Sequence, residues 1–200
     1  MKVRESRWTR WFLLSATAIV MLGCTRFQEL TVRRHITSSL TDTEANAILL
    51  NATTVLKTAT VPGDVACCVE FERDGPVTTF TTGTGSINSG ADFSAVIALP
   101  GYVKVVNAIN WCGGLIPGII GCAPVPGNSF VVVRFTPILE GILWAHEYGH
   151  TKGLGHRNDT TAVMNPFIGI TGMGVNSAEC SAFLAGGSQR LFRFCGGQTN

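Results

Sequence analysis

The chain is short of charge. Asp, Glu, Lys and Arg together make up 14% of its 200 residues, and nowhere do Lys and Arg gather into a stripe, which excludes the electrostatic footprint of a nucleic-acid binder. Four of the fifteen cationic residues (Lys2, Arg4, Arg7, Arg10) stand in the first ten positions. Setting these and Glu5 aside leaves eleven Lys and Arg against twelve Asp and Glu, so the apparent basicity belongs to the N-terminal stretch. There is no Cys-x-x-Cys pair, which argues against a thiolate metal cage. No internal repeat or long linker points to a second folding unit. The acids Asp64, Asp74 and Asp92 are scattered and form no calcium-binding loop, so calcium is left unassigned. The apolar run from Trp11 to Leu22 is too short to span a bilayer as a helix.

What is present begins with that run. A basic start followed by a short apolar segment reads as an export signal over residues 1–23. It ends in Met21-Leu22-Gly23-Cys24, which resembles a bacterial lipobox with Cys24 as the lipidated first residue of the mature chain. The resemblance implies an exported envelope protein held to a membrane through Cys24, the outer one if the host has two. Secretion after ordinary cleavage nearby is the alternative. Setting Cys24 aside leaves Cys67, Cys68, Cys112, Cys122, Cys180 and Cys195, an even set that in an exported chain suggests up to three disulfides. Cys112 with Cys122 and Cys180 with Cys195 are the local pairs. They would leave the adjacent Cys67 and Cys68 to each other, so a crossed arrangement is equally open.

The chemistry is concentrated in His146-Glu147-Tyr148-Gly149-His150-Thr151-Lys152-Gly153-Leu154-Gly155-His156. Side chains four apart share one face of an α-helix, so His146 and His150 can grip one ion. Glu147 lies one step round, within reach of a water on that ion. Gly153 can adopt a backbone conformation closed to other residues, ending the helix and turning His156 back toward the metal. Three neutral imidazoles would fill three corners of a tetrahedron and leave the fourth open, the pattern of a catalytic zinc. Ala162-Val163-Met164-Asn165-Pro166 follows at short range and completes the motif with a Met-containing turn.

The run from Trp144 to Pro166 resembles the metzincin zinc metallopeptidases, and among them the matrixin branch, which also places the turn Met eight residues past the third histidine. Arg157 departs from the Ser or Thr usual there after that histidine, and Asn165 from the frequent Tyr. The resemblance implies an α+β fold with a twisted, mostly parallel sheet, an antiparallel edge strand, a zinc helix and a short C-terminal helix. It further implies zinc-dependent hydrolysis of peptide bonds in extended protein or peptide substrates, with Glu147 as general base toward a water on the zinc. Substrate would lie as an added strand along Gly118–Pro124, touching Ile120, Gly121 and Cys122, with Pro166 and Phe167 lining the pocket beyond the cleaved bond. A Gly/Pro-rich loop tied down by Cys112 and Cys122 is the rival reading of that segment. No segment resembles the matrixin prodomain, so latency is expected to be absent or supplied by a separate inhibitor.

The remaining chain fits one catalytic domain over residues 41–200, after an N-terminal segment and first strand over 24–40. Thr41-Asp42-Thr43-Glu44 has capping-box spacing and predicts a helix running to Lys57. Strands are expected at Val65–Glu72, Val77–Thr82, Ala95–Leu99, Tyr102–Ile109 and Phe130–Phe135, with a loop over Thr81–Gly90. Pro137 should open the zinc helix, with Ile138, Ile142, Leu143 and Ala145 on its buried face. A last helix should start at Asn176 or Ser177. His35 is expected at the surface and Tyr148 in a packing role. Two rival functions stay open: a surface-binding lipoprotein using this scaffold without turnover, and a protease with one dedicated target.

Overall fold

The computed structural model describes residues 25–190; the expected signal segment, Cys24 and Cys195 lie outside them. Thr41 starts the first helix as expected: its side chain accepts from Glu44 N while the Glu44 carboxylate takes Thr41 N, and α1 runs Asp42–Lys57. Two strands precede it, β1 (Thr25–Leu30) and β2 (Val32–His35). After α1 come β3 (Val69–Arg73), β4 (Thr78–Phe80), β5 (Ser86–Ile87) and helix α2 (Gly90–Ile97). Then follow β6 (Val103–Val106), β7 (Ala108–Trp111), β8 (Leu115–Ile119), β9 (Gly121–Cys122) and β10 (Phe130–Val133). Helix α3 (Pro137–Thr151), α4 (Ser177–Leu184) and β11 (Ser188–Arg190) close the described chain.

The central sheet has the order β4-β2-β6-β10-β9. Its first four strands are parallel and β9 is antiparallel at the edge. Val103, Val105, Phe130 and Val132 face α1 and α3, while Val106 and Val131 join Phe80, Ile87 and Ile109 on the side of α2. Burial on both faces is why β10 reads as an unbroken apolar run and why β6, interrupted only by the buried Lys104, does not alternate apolar and exposed residues. Two three-stranded sheets flank this one, β11-β1-β3 and β5-β7-β8. Helix α3 is buried from Glu140 through Thr151, and α1 crosses it closely at Gly141, where a Cβ would lie 2.6 Å from the Cβ of Asn51.

Several expectations are corrected. Ala95–Leu99 is not a strand but belongs to α2 and its C-terminal turn. Ser89 caps that helix by accepting from Asp92 N, and Phe93, Val96 and Ile97 then meet the sheet with helical spacing. The expected loop Thr81–Gly90 contains β5, which pairs in parallel with β7. Tyr102–Ile109 is two strands, parted at Asn107 where the chain changes sheets. Ile138 is 63% exposed, because the first turn of α3 projects beyond the core that Ile142, Leu143 and Ala145 enter. His35 is buried, its Nδ1 2.7 Å from Thr37 Oγ1 and its ring edge-on to Phe80. Of the two local pairs Cys112–Cys122 forms, whereas Cys180 pairs with Cys67 across 113 residues, a crossed arrangement of the kind the sequence left open. Cys68 is also disulfide-bonded. The folded chain brings the loop before β3 against α4, a proximity that local spacing cannot reveal.

Candidate metal centre

Helix α3 presents His146 and His150 one turn apart, and its end supplies the third imidazole. Gly153 N donates to His150 O and Leu154 N to Gly149 O, closing the helix around a Gly153 with φ +87°. The chain then doubles back so that His156 Nε2 lies 3.2 Å from His150 Nε2, which is itself 3.0 Å from His146 Nε2. The three nitrogens form the one cluster of His, Cys, Asp or Glu groups among the described residues suited to holding a metal ion.

Hydrogen bonding decides the state of these rings. His146 Nδ1 lies 2.8 Å from Val163 O, and His150 Nδ1 lies 2.7 Å from Leu154 O. A carbonyl only accepts, so both Nδ1 atoms carry hydrogen and both Nε2 atoms turn lone pairs inward. Burial, with a smaller contribution from His150, holds His146 down at about 3, and burial also lowers His150. Neutral rings with lone pairs facing at 3.0 Å repel unless a cation lies between them. The donor set therefore fits a divalent transition metal, and three imidazoles suit zinc.

Glu147 lies beside this cluster and is buried. Among the described residues its Oε2 has no hydrogen-bond partner, and burial pushes its carboxyl up to about 8. A carboxylate so placed lacks a positive neighbour, which a dication at the histidines would supply. The Met-turn sits underneath: Met164 is fully buried, and a Cβ at Gly149 would lie 2.5 Å from its Sδ. Tyr148 packs between Phe71, Tyr102 and Phe183, in keeping with the packing role expected of it.

A cleft of about 610 Å³ opens over the histidines. It brings together all five expected substrate contacts, Ile120, Gly121 and Cys122 on one side and Pro166 and Phe167 on the other. Among the described residues strand β9 pairs with β10 alone, which leaves its outer edge available there. The Cys112–Cys122 disulfide also ties this segment down, so the edge and the tethered loop are one structure. Ile119, within the expected Gly118–Pro124 edge, also lines the cleft, while sequence reasoning missed Leu143 and Ile116 there. The apolar pair Leu115-Ile116 ahead of the Pro117-Gly118 turn residues was the available signal. Arg157, noted only as a departure, proves to lie within an ionic cluster of Asp64, Asp159 and Glu179.

No protein-family model and no curated protein matches the chain by sequence. Solved structures do match its fold. Archaemetzincin from Methanopyrus kandleri superposes with a TM-score of 0.52 at 14% identity, covering 80% of this chain and 93% of that one. Metalloproteinase-II from Bacteroides fragilis gives 0.50 at 12% identity, covering 80% of this chain and 52% of that one, so this chain spans about half its length. The fold, mixed α and β with a mostly parallel sheet, is thus the one found in archaemetzincin.

Proposed function

We propose that this protein is a zinc-dependent endopeptidase. The observation that carries the reading is the convergence of His146, His150 and His156 Nε2 beside the buried carboxylate of Glu147, whose Oε2 has no hydrogen-bond partner among the described residues, under an open strand edge. The three histidines would hold the ion. Zinc would supply Lewis acidity, drawing the pKa of a water down toward about 7 and polarising a carbonyl. Glu147 takes the proton of the attacking water at its free carboxylate oxygen and hands it to the departing amine. The free edge of β9 offers backbone groups to an extended peptide, which fixes the scissile bond across the cleft. Ile119, Ile120, Leu143, Phe167 and Ile168 line that cleft, so apolar side chains around the cleaved bond are the favoured substrates.

The matrixin-like spacing of the Met-turn, the export signal over 1–23 and membrane attachment through Cys24 belong to the same proposal. They rest on the sequence. A binding protein on this scaffold would have no use for a buried carboxylate beside its metal, which favours turnover. The test incubates the zinc-loaded protein and its Glu147→Ala variant with a mixed peptide library read by mass spectrometry. Cleavage by the parent alone supports the proposal. Silence from a folded, zinc-loaded parent, or equal cleavage by both, refutes it.

A further inference from the structure

Of the three histidines, His156 has the least support. His146 and His150 each commit Nδ1 to a carbonyl, whereas His156 Nδ1 finds no partner among the described residues and the ring is exposed. Metal-binding histidines are ordinarily oriented through the second ring nitrogen. Here the next residue takes over. Arg157 N donates to Met164 O at 2.8 Å, and the guanidinium turns inward. Its Nη2 donates to Gly174 O at 3.1 Å and lies 3.7 Å from Asp64 Oδ1. Its Nε makes no hydrogen bond among the described residues but lies at ion-pair distance, 3.4 Å, from Glu179 Oε1, with Asp159 further out at 3.9 Å from Nη2.

Both inner acids are themselves fixed. The side chains of Asp64 and Glu179 are 2% and 9% exposed. Asp64 Oδ2 accepts from Thr60 N, Thr60 Oγ1 and Val61 N. Glu179 Oε2 accepts from Asn176 N in the box that caps α4. A Cβ on Gly174 would lie 2.7 Å from Asp64 Cγ, so the acid can approach only because that residue is glycine. The carbonyl of Gly174 also takes Val163 N at 2.9 Å, and Val163 O is the acceptor that orients His146. Thus the segment carrying His156, the Met-turn, α4 and the loop before β3 all meet at one guanidinium.

We infer that Arg157, clamped by Asp64 and Glu179, is a positioning residue that fixes the loop bearing His156 and replaces the ring hydrogen bond which that histidine lacks. The inference rests on the reading of the three histidines as metal ligands. Arginine suits the place because its guanidinium donates to the Gly174 carbonyl while its spread charge lies between two carboxylates, which a compact lysine ammonium does less well.

The test uses the whole protein, its Arg157→Met, Arg157→Lys and Asp64→Asn variants, and His156→Ala as a reference. Zinc affinity is read by chelator competition, and ligand geometry by the visible spectrum of the cobalt-substituted forms. Arg157→Met should bind zinc about 10- to 100-fold more weakly, with a cobalt spectrum shifted toward that of His156→Ala. Arg157→Lys should recover part of both, and Asp64→Asn should move them the same way by less. If Arg157→Met fails to fold, the Lys and Asn variants carry the comparison. Folded Arg157 and Asp64 variants with parental affinity and spectrum, beside a His156→Ala that has lost both, would overturn the inference alone. A His156→Ala that binds zinc like the parent would remove the ligand reading and the inference with it.

Discussion

Gly121 and Glu147 fit together only because Gly121 has no side chain. A Cβ there would lie 2.6 Å from Glu147 Cδ and 2.8 Å from its Cγ, with Oε1 closer still. The edge strand and the general base therefore share one small volume. In Gly121→Ala the carboxylate must swing aside, because a side-chain end yields more readily than a paired strand. Misplacing a reacting group by about 1 Å can cost about 100-fold in rate, so kcat/KM toward a cleaved peptide should fall by roughly that factor. Zinc content and unfolding midpoint should change little. A variant that cleaves like the parent would show that Glu147 does not work where it now lies.

Gly149 stands to Met164 as Gly121 does to Glu147, but here the neighbour cannot move away. An added Cβ would lie 2.5 Å from Met164 Sδ and 3.1 Å from Phe183 Cζ, both fully buried. Alanine would gain about 1 kcal/mol of helix propensity over glycine, yet overpacking a core costs about 1–3 kcal/mol. Gly149→Ala should accordingly lower stability in urea titrations despite the propensity gain. An increase in stability would mean that the Met-turn shifts freely.

The metal centre was legible because its logic is local. Ligands four apart on a helix and a glycine that turns the chain need no knowledge of the rest of the fold, and the same holds for the boxes at Thr41 and Asn176. Where tertiary contacts decide, the sequence was silent or misleading. Val96 and Ile97 look like strand residues, yet the Ser89 cap and the sheet beneath them make a helix. His35 looks like a surface residue until Phe80 and Thr37 close over it. The Cys67–Cys180 bond and the Arg157 cluster join segments remote in sequence, and nothing near Arg157 announces that Asp64 is its partner.

Lys104 provides a test of stability against pH. It is fully buried in the central sheet, its Nζ bonded to Gly101 O and 3.5 Å from Ile97 O. Burial, followed by the nearby charge of Arg33, brings its pKa down to about 8 from 10.5. Below pH 8 the folded and unfolded states both hold the proton, so the folded state bears the full cost of the buried ammonium. Between 8 and 10.5 only the unfolded state stays protonated, and stability rises with pH. At about 1.4 kcal/mol per unit the rise is at most about 3 kcal/mol. Urea titrations between pH 7.5 and 9.5 should show this slope in the parent and a flatter one in Lys104→Met. Equal slopes would assign the pH dependence to other groups.

The two described disulfides should separate stability from substrate binding. Cys67–Cys180 closes 113 residues and Cys112–Cys122 closes 10. Chain entropy alone assigns them about 5 and about 3 kcal/mol respectively, as upper limits where other cross-links already shorten the loops. Replacing Cys67 and Cys180 together by Ala should therefore lower the unfolding free energy more, with little effect on KM in whatever fraction stays folded. Replacing Cys112 and Cys122 by Ala should cost less stability but raise KM, because Cys112 and Cys122 line the cleft and hold β9 beside it. Urea unfolding and steady-state peptide cleavage on both double variants test the pattern. Should the Cys112–Cys122 variant keep the parental KM, the edge strand would need no tether, and β9 would owe its position to pairing with β10 alone.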